Sequence, residues 1–177
     1  APSVSLALGS VAGIGAARVT TSHYSVIVKD TAQMMIAGPA LVDWARLGTV
    51  SKEELGASKI HTRNGSIDDE ASSETEAFSL AKQFLSYLPS NVEQLPPRTA
   101  CEDPVTRTAP ELLDIIPRDP RKVYKMRKII NAVIDNDTFF EIGRQWGKSI
   151  ITGLARIDGV ATAVFAEDPM IYGGAWT

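Results

Sequence analysis

Cysteine and histidine are scarce in this 177-residue sequence, which has one Cys, Cys101, and two His, His23 and His61. A lone thiol forms no internal disulfide and no cysteine zinc cluster, which fits a reducing compartment. Isolated histidines point to structural hydrogen bonding, with no His-based metal site. Excess positive charge is also missing. With 18 Lys and Arg against 21 Asp and Glu, the formal net charge is -3, which argues against a general affinity for nucleic acid or for an anionic membrane surface. The apolar opening from Ala1 to Ala17 is broken by Pro2, Gly9, Gly13 and Gly15 and has no basic flank. It therefore reads as buried fold, and neither as a signal peptide nor as a membrane span. The chain opens directly in core-like sequence without Met, so a fragment of a longer subunit is the expectation.

Apolar material is ample: 44% hydrophobic and 22% charged residues suit one compact domain or two small ones. Val4 to Leu8 is a short apolar run ending at Gly9, as expected of a strand in a largely parallel sheet. Two further strands are predicted at Tyr24 to Val28 and Gln33 to Ile36, separated by the polar turn Lys29-Asp30-Thr31. After Gly38-Pro39 the pattern becomes helical, and Ser51 with Glu54 has capping-box spacing ahead of Gly56. Residues 57–73 are polar and turn-rich, which predicts a surface loop. Ser73 and Glu76 open a second capped helix, on which Ala77, Leu80, Ala81, Phe84, Leu85 and Leu88 recur at helical spacing.

From Pro89 to Pro110 there is no sustained period, so the linker and domain boundary are expected there. Asp119 and Pro120 predict the start of a long amphipathic helix with Val123, Met126, Ile129, Ile130, Val133 and Ile134 on one stripe. Asp158-Gly159, between Ile150 to Ile157 and Val160 to Ala166, predicts a type I′ hairpin. Arg118, Arg121, Lys122, Lys125, Arg127 and Lys128 read as a solvated helix face. Asp68-Asp69-Glu70, Asp135 and Asp137 read as loop and cap charges, because no metal-loop spacing surrounds them.

The glycine loop from Gly9 to Gly15 admits two readings. Gly9, Gly13 and Gly15 have the spacing of short-chain dehydrogenases, and Tyr124 with Lys128 matches their Tyr-xxx-Lys pair. That reading, a NAD(P)-dependent oxidoreductase, needs a crossover helix before the next parallel strand, yet only Ala16 to His23 intervene and no catalytic serine stands upstream of Tyr124. Two residues one turn apart on an exposed helix is the plainer account of Tyr124 and Lys128.

The other reading rests on motifs in order: Ala12-Gly13, Val28-Lys29-Asp30-Thr31, Ile36-Ala37-Gly38-Pro39, Glu53-Glu54-Leu55-Gly56 and His61-Thr62. Beyond the linker follow Pro110-Glu111-Leu112, Ile115-Ile116-Pro117, Phe139-Phe140-Glu141 and Ile150-Ile151-Thr152-Gly153-Leu154-Ala155-Arg156-Ile157-Asp158-Gly159. In this order the chain resembles the carboxyltransferase (beta) subunits of biotin-dependent acyl-CoA carboxylases, the propionyl-, acetyl- and methylcrotonyl-CoA carboxylase group. The resemblance implies an α/β, crotonase-like fold of ββα superhelical turns with parts of two domains. Residues 1–94 would be the C-terminal part of the N-domain, and 95–177 the linker and the start of the C-domain. Gly173-Gly174-Ala175 looks like the second oxyanion loop of such subunits, but its place after the hairpin marks it as a decoy.

The implied reaction moves carboxyl from carboxybiotin to the α-carbon of a short acyl-CoA, with biotin itself serving as base. Fixed donors for two oxyanions are then the main demand on the protein, and ionisable side chains are not. The resemblance puts enolate-stabilising amides at Gly13 and Ile14, with Ala12, Gly15, Ala16, Gly38 and Pro39 shaping the acyl-CoA pocket. Relatives usually have a second glycine where this chain has Ile14, whose side chain is expected to narrow the pocket or to shift the donors by one residue. Arg18 is expected at the surface. The family further implies a homo-oligomer in which the N-domain of one subunit faces the C-domain of another. It implies a biotin carboxylase/biotin carrier partner, no metal in this chain, no nucleic-acid or membrane partner, and a cytoplasmic or mitochondrial-matrix location. A noncatalytic assembly fragment is the remaining alternative.

Overall fold

The first apolar run becomes strand β1 (Val4–Ala7), and the glycine loop after it holds a second strand, β2 (Ser10–Ala12), and helix α1 (Ile14–Thr20). The structure is a computed structural model that describes residues 1–104, 106–119 and 121–176. It divides into two compact units, Ala1–Gln83 and Phe84–Thr177.

In the first unit, the pattern β-β-α repeats. β3 (Tyr24–Val28) and β4 (Gln33–Met35) follow α1 and lead into α2 (Pro39–Trp44). β1 pairs in parallel with β3, from Val4↔Tyr24 to Ala7↔Ile27, and β2 pairs in parallel with β4, from Ser10↔Gln33 to Ala12↔Met35. Each strand of one sheet thus hands over to a strand of the other, which is the crotonase-like unit expected from the resemblance. All five residues of β3 are buried, as a strand between two parallel neighbours requires. Asp30 turns the corner between β3 and β4 at φ 63.

The segment 57–73, expected to be a loop, is regular for most of its length. It forms α4 (Ser58–Asn64), closed by Gly65 in the left-handed region, and β5 (Asp69–Ala71), which pairs in parallel with β3. Its polar composition hid this because the inward groups are polar and find distant partners. The Asp68 carboxylate accepts from Ser25 N and Ser25 Oγ, each at 2.8 Å, and Asp69 accepts from the Tyr24 hydroxyl at 3.0 Å. Burial and the negative charge of Asp69 push the Tyr24 phenol far above its ordinary range.

Ahead of α4, the short helix α3 (Lys52–Gly56) has a complete capping box: Ser51 Oγ accepts from Glu54 N at 3.1 Å, and Glu54 accepts from Ser51 N at 2.7 Å. Gly56 presses α3 onto β4, and a Cβ there would lie 2.3 Å from Met34 O. The long helix α5 (Glu74–Ser86) is capped by Ser73, whose Oγ accepts from Glu76 N at 3.2 Å. The Glu76 carboxylate reaches back to the Ser72 hydroxyl and to Ser72 N at 2.7 Å, and these bonds lower its pKa.

The second unit is antiparallel. After the non-regular stretch and a single turn, α6 (Leu112–Ile115), come α7 (Met126–Val133) and the strands β6 (Phe140–Ile142), β7 (Ile150–Ile157) and β8 (Val160–Glu167). β7 and β8 form the expected hairpin, with Asp158 at φ 52 and Gly159 at φ 73. Ile130 and Ile134 pack with Ile151 and Ala155 to make the core, and Met126, Phe139, Val164 and Ala166 lie against it.

The helix expected from Asp119 onward is shorter than the apolar stripe suggested. Pro120 lies outside the described residues. Asp119 accepts from Arg121 N at 3.0 Å and pairs with its guanidinium, so it closes a local turn well ahead of α7. Val123 precedes the helix and is more than half exposed. The apolar spacing is real only from Met126 to Ile134, where β7 offers a surface to bury it.

Two arginines organise this unit. Arg127 does not join the solvated basic face: it bonds Glu141 through Nε and Nη2 and Asp168 through Nη1 at 2.6 Å, and the Glu141 hydrogen bond raises its pKa. Arg156 is buried and, among the described residues, pairs with no carboxylate. It donates to Pro97 O and Gly159 O, each at 3.0 Å, and to Ser86 O at 2.8 Å, while stacking 4.9 Å over Tyr87. The Pro-rich stretch is therefore tied to the hairpin tip, and Thr99 N adds a bond to Gly159 O at 3.0 Å.

Candidate functional site

Gly13 sits between the end of β2 and the start of α1 at φ 60, ψ -127, a conformation that a side chain would strain. Its carbonyl accepts from Ala16 N at 3.0 Å and Ala17 N at 3.3 Å, which starts the helix. Its own N–H is taken: it donates to Met35 O at 3.2 Å and to Ile36 O at 3.1 Å, which extends the β2–β4 ladder by one residue. The next two amides, those of Ile14 and Gly15, occupy the first two helical positions and have no acceptor within the helix. Among the described residues neither Ile14 N nor Gly15 N meets a backbone acceptor, so the open amides at this bend lie one residue later than the expected pair Gly13 and Ile14.

The surroundings of the bend are open. Ala12, Gly13 and Ile14 are exposed, and a Cβ built at Gly13 meets nothing within 4 Å. Gly15 is constrained on its inner side, where a Cβ would approach Val11 Cγ1 to 3.1 Å. Ala16 is buried against the sheets. The bonds from Gly13 to β4 also bring the second glycine turn alongside. Gly38 is the N-cap of α2 and Pro39 its first residue, with Gly38 O accepting from Leu41 N at 3.0 Å. Gly38 has extended backbone and open space around it. Ala12 to Ala16 are therefore joined to the backbone at Ile36, two residues ahead of Gly38-Pro39.

Both histidines are bound into the backbone. His61 Nε2 donates to Met34 O at 2.6 Å, because a carbonyl only accepts, and its buried Nδ1 has no partner among the described residues. His23 Nδ1 accepts from Ser3 N at 3.1 Å. Arg18 is exposed on α1. Lys128 lies within α7 but Tyr124 precedes it, so the two do not share a helix face as expected.

A polar relay inside the first unit had no sequence signal. Ser10 Oγ donates to Gln33 Oε1 at 2.7 Å, and Gln33 Nε2 donates to Glu53 at 3.2 Å. It borders a cavity of about 460 Å³ lined by Lys29, Lys59 and Arg63 together with Asp30, Glu53 and Glu70, a balanced set of charges. A cavity of about 530 Å³ in the second unit is acid-lined, by Glu102, Asp103, Asp135 and Asp137 beside Cys101. Hydrogen bonding to Asp103 O favours the Cys101 thiolate, but desolvation and the neighbouring Asp135 and Asp103 win and raise its pKa. Neither cavity concentrates the unopposed positive charge that a polyphosphate needs. Among the described residues no group of three or more His, Cys, Asp or Glu could hold a metal, and no helix is long and apolar enough to cross a membrane.

The family model of the carboxyl transferase domain matches residues 1–177. The human propionyl-CoA carboxylase beta chain, a mitochondrial protein, is 33% identical over 98% of this chain and 32% of its own length. The Mycobacterium tuberculosis biotin-dependent long-chain acyl-coenzyme A carboxylase beta4 subunit is 32% identical over 98% of this chain and 34% of its own. Among solved structures, the transcarboxylase 12S hexamer with hydrolysed methylmalonyl-coenzyme A bound superposes with TM-score 0.90 and 26% identity, over 98% of this chain and 34% of that one. The chain spans about a third of the length of the curated relatives it matches.

Proposed function

The chain belongs to the carboxyl transferase domain family, and from that premise we propose that it is part of a carboxyltransferase acting on short acyl-CoA thioesters, with carboxyl moving from carboxybiotin to the acyl α-carbon. Within such a subunit, residues 1–94 are the end of the N-domain and 95–177 the linker and the beginning of the C-domain. The observation that carries this reading is the exposed bend at Gly13. Its own amide is held by β4, and the amides of Ile14 and Gly15 are left to an incoming oxygen.

Removing a proton from the α-carbon of a thioester puts negative charge on the thioester oxygen. Two backbone N–H groups at the start of α1 would stabilise that charge without reorganising during the reaction. Side-chain acid or base is not required of this bend, in keeping with the structural engagement of His23 and His61. Open space beside Gly13 and Gly38 leaves room for a pantetheine arm to approach the backbone. Carboxybiotin, delivered by a carrier domain of a partner subunit, supplies the carboxyl group. The reading includes a biotin carboxylase partner, a homo-oligomer and a cytoplasmic or mitochondrial-matrix location, the last supported by the mitochondrial human relative. The dehydrogenase alternative loses its footing, because α1 has only seven residues between β2 and β3 and the family match lies elsewhere.

The test uses the full-length subunit with its biotin carrier partner and follows bicarbonate fixation on propionyl-CoA. Proline is tolerated at the first position of a helix but lacks the N–H. Ile14→Pro should therefore lower kcat about 100-fold or more, while Ile14→Ala, which keeps the amide, stays far closer to the unmodified enzyme. Equal activity of the two variants would remove the main-chain amide from the mechanism.

A further inference from the structure

We propose that Ile14 and Ile36 form an apolar lip that reads the acyl group, favouring propionyl and longer chains over acetyl. Ile14 is 75% exposed and Ile36 89% exposed, although each would gain by leaving water. One hydrogen bond joins their neighbourhoods, from Gly13 N to Ile36 O at 3.1 Å. The two residues therefore rise from adjoining backbone on either side of the bend. The inference rests on the carboxyltransferase reading, because it takes the thioester oxygen to lie on the Ile14 and Gly15 amides.

From that placement the rest is geometry. A residue's Cβ is two bonds from its own amide nitrogen, and the acyl α-carbon is two bonds from the thioester oxygen. Substituents on the α-carbon can then reach the Ile14 side chain for ordinary apolar contact, about 4 Å between carbons. Gly15 cannot supply this contact, since its inner side is closed by Val11 Cγ1 at 3.1 Å from a built Cβ. Gly13 and Gly38 add no side chain, and a Cβ built at either meets nothing within 4 Å. The lip is open outward, so it rewards an added methyl group instead of excluding it. An acetyl group has no β-carbon with which to make the contact.

The experiment measures kcat/KM of the full-length enzyme, with its biotin carrier, for acetyl-, propionyl- and butyryl-CoA. The unmodified enzyme should prefer propionyl to acetyl. Ile14→Ala and Ile36→Ala should each reduce that ratio about four-fold, the worth of roughly one buried methylene. Ile14→Val and Ile36→Val should shift it the same way by less, and they supply the readout if an alanine variant does not fold. A fall in kcat/KM by the same factor for all three thioesters, with the ratio constant, would assign the lip to the shared pantetheine arm and overturn the proposal. A changed native mass with a constant ratio would assign it to subunit contact and overturn it as well. If the unmodified enzyme carboxylates none of the three, the carboxyltransferase reading itself has failed, and the variants are not needed to show it.

Discussion

The two units of this chain handle buried polarity in opposite ways. In the first, inward polar groups are uncharged or acidic and meet one another in pairs across the parallel strands: Ser25 with Asp68, Tyr24 with Asp69, Ser10 with Gln33. In the second, two arginines gather several segments at once, with Arg156 on three carbonyls and Arg127 on two carboxylates. A guanidinium has five donors and suits a unit whose non-regular stretch would otherwise have few anchors. The first unit has parallel ladders for that purpose, and it can leave two amides at the Gly13 bend uncommitted. The difference teaches where chemistry is available: the region held by its backbone ladders presents open donors, while the region held by side-chain charge commits its own.

The comparison is broken most severely at Gly56. A methyl group there would lie 2.3 Å from Met34 O, so Gly56→Ala should destabilise the first unit by about 3 kcal/mol. Hydrogen exchange should show protection lost across β3 and β4, and normal protection at those amides would refute the tight contact. Next in size, Arg156→Met removes its three hydrogen bonds, although Gly159 O keeps Thr99 N, and should cost about 2 to 3 kcal/mol, read as a lower urea midpoint for the second unit. Arg156→Lys should recover only part of this, because an ammonium lacks the planar fork.

The smallest effect lies at Asp135, whose carboxylate accepts from Gly159 N at 2.7 Å and Asp158 N at 2.9 Å. Desolvation pushes its pKa up, but the two amides, the Cys101 thiol and Arg107 outweigh it and hold the carboxyl below 3.8, the ordinary value. Because the folded value lies below the unfolded one, the stabilisation is fully present above pH 3.8 and fades as the pH falls through the folded value. Asp135→Asn should flatten the acid limb of the hairpin's thermal stability by less than about 1 kcal/mol, since the site is partly solvent-screened. An unchanged acid limb would show that the amide bonds to Asp135 contribute nothing.

Local signals were readable along the chain because both partners lie within a few residues. Ser51 and Glu54 make their box within one turn, and Asp158-Gly159 carries the positive φ angles of its turn in two adjacent residues. α4 and β5 were not readable, since Asp68 meets Ser25 and Asp69 meets Tyr24 across more than forty residues. Their polar side chains look like a loop until those partners are known. The helix stripe from Val123 was misleading for the complementary reason: spacing marks a face, but only a surface such as β7 decides how much of it is helix. At the bend, the glycine pattern located the turn, whereas the identity of the free amides depended on Met35 O and Ile36 O capturing Gly13 N.

Taken alone, the residue order determined strands β1, β3 and β4 of the parallel unit, the caps, the hairpin and the position of the glycine bend, because propensity and short-range hydrogen bonding act through neighbours in the chain. Tertiary structure alone decided which backbone donors remain open, which acids are structural and which arginine leaves the surface. Those outcomes depend on acceptors brought in from distant segments, and a hydrogen bond made there removes a group from any further chemistry.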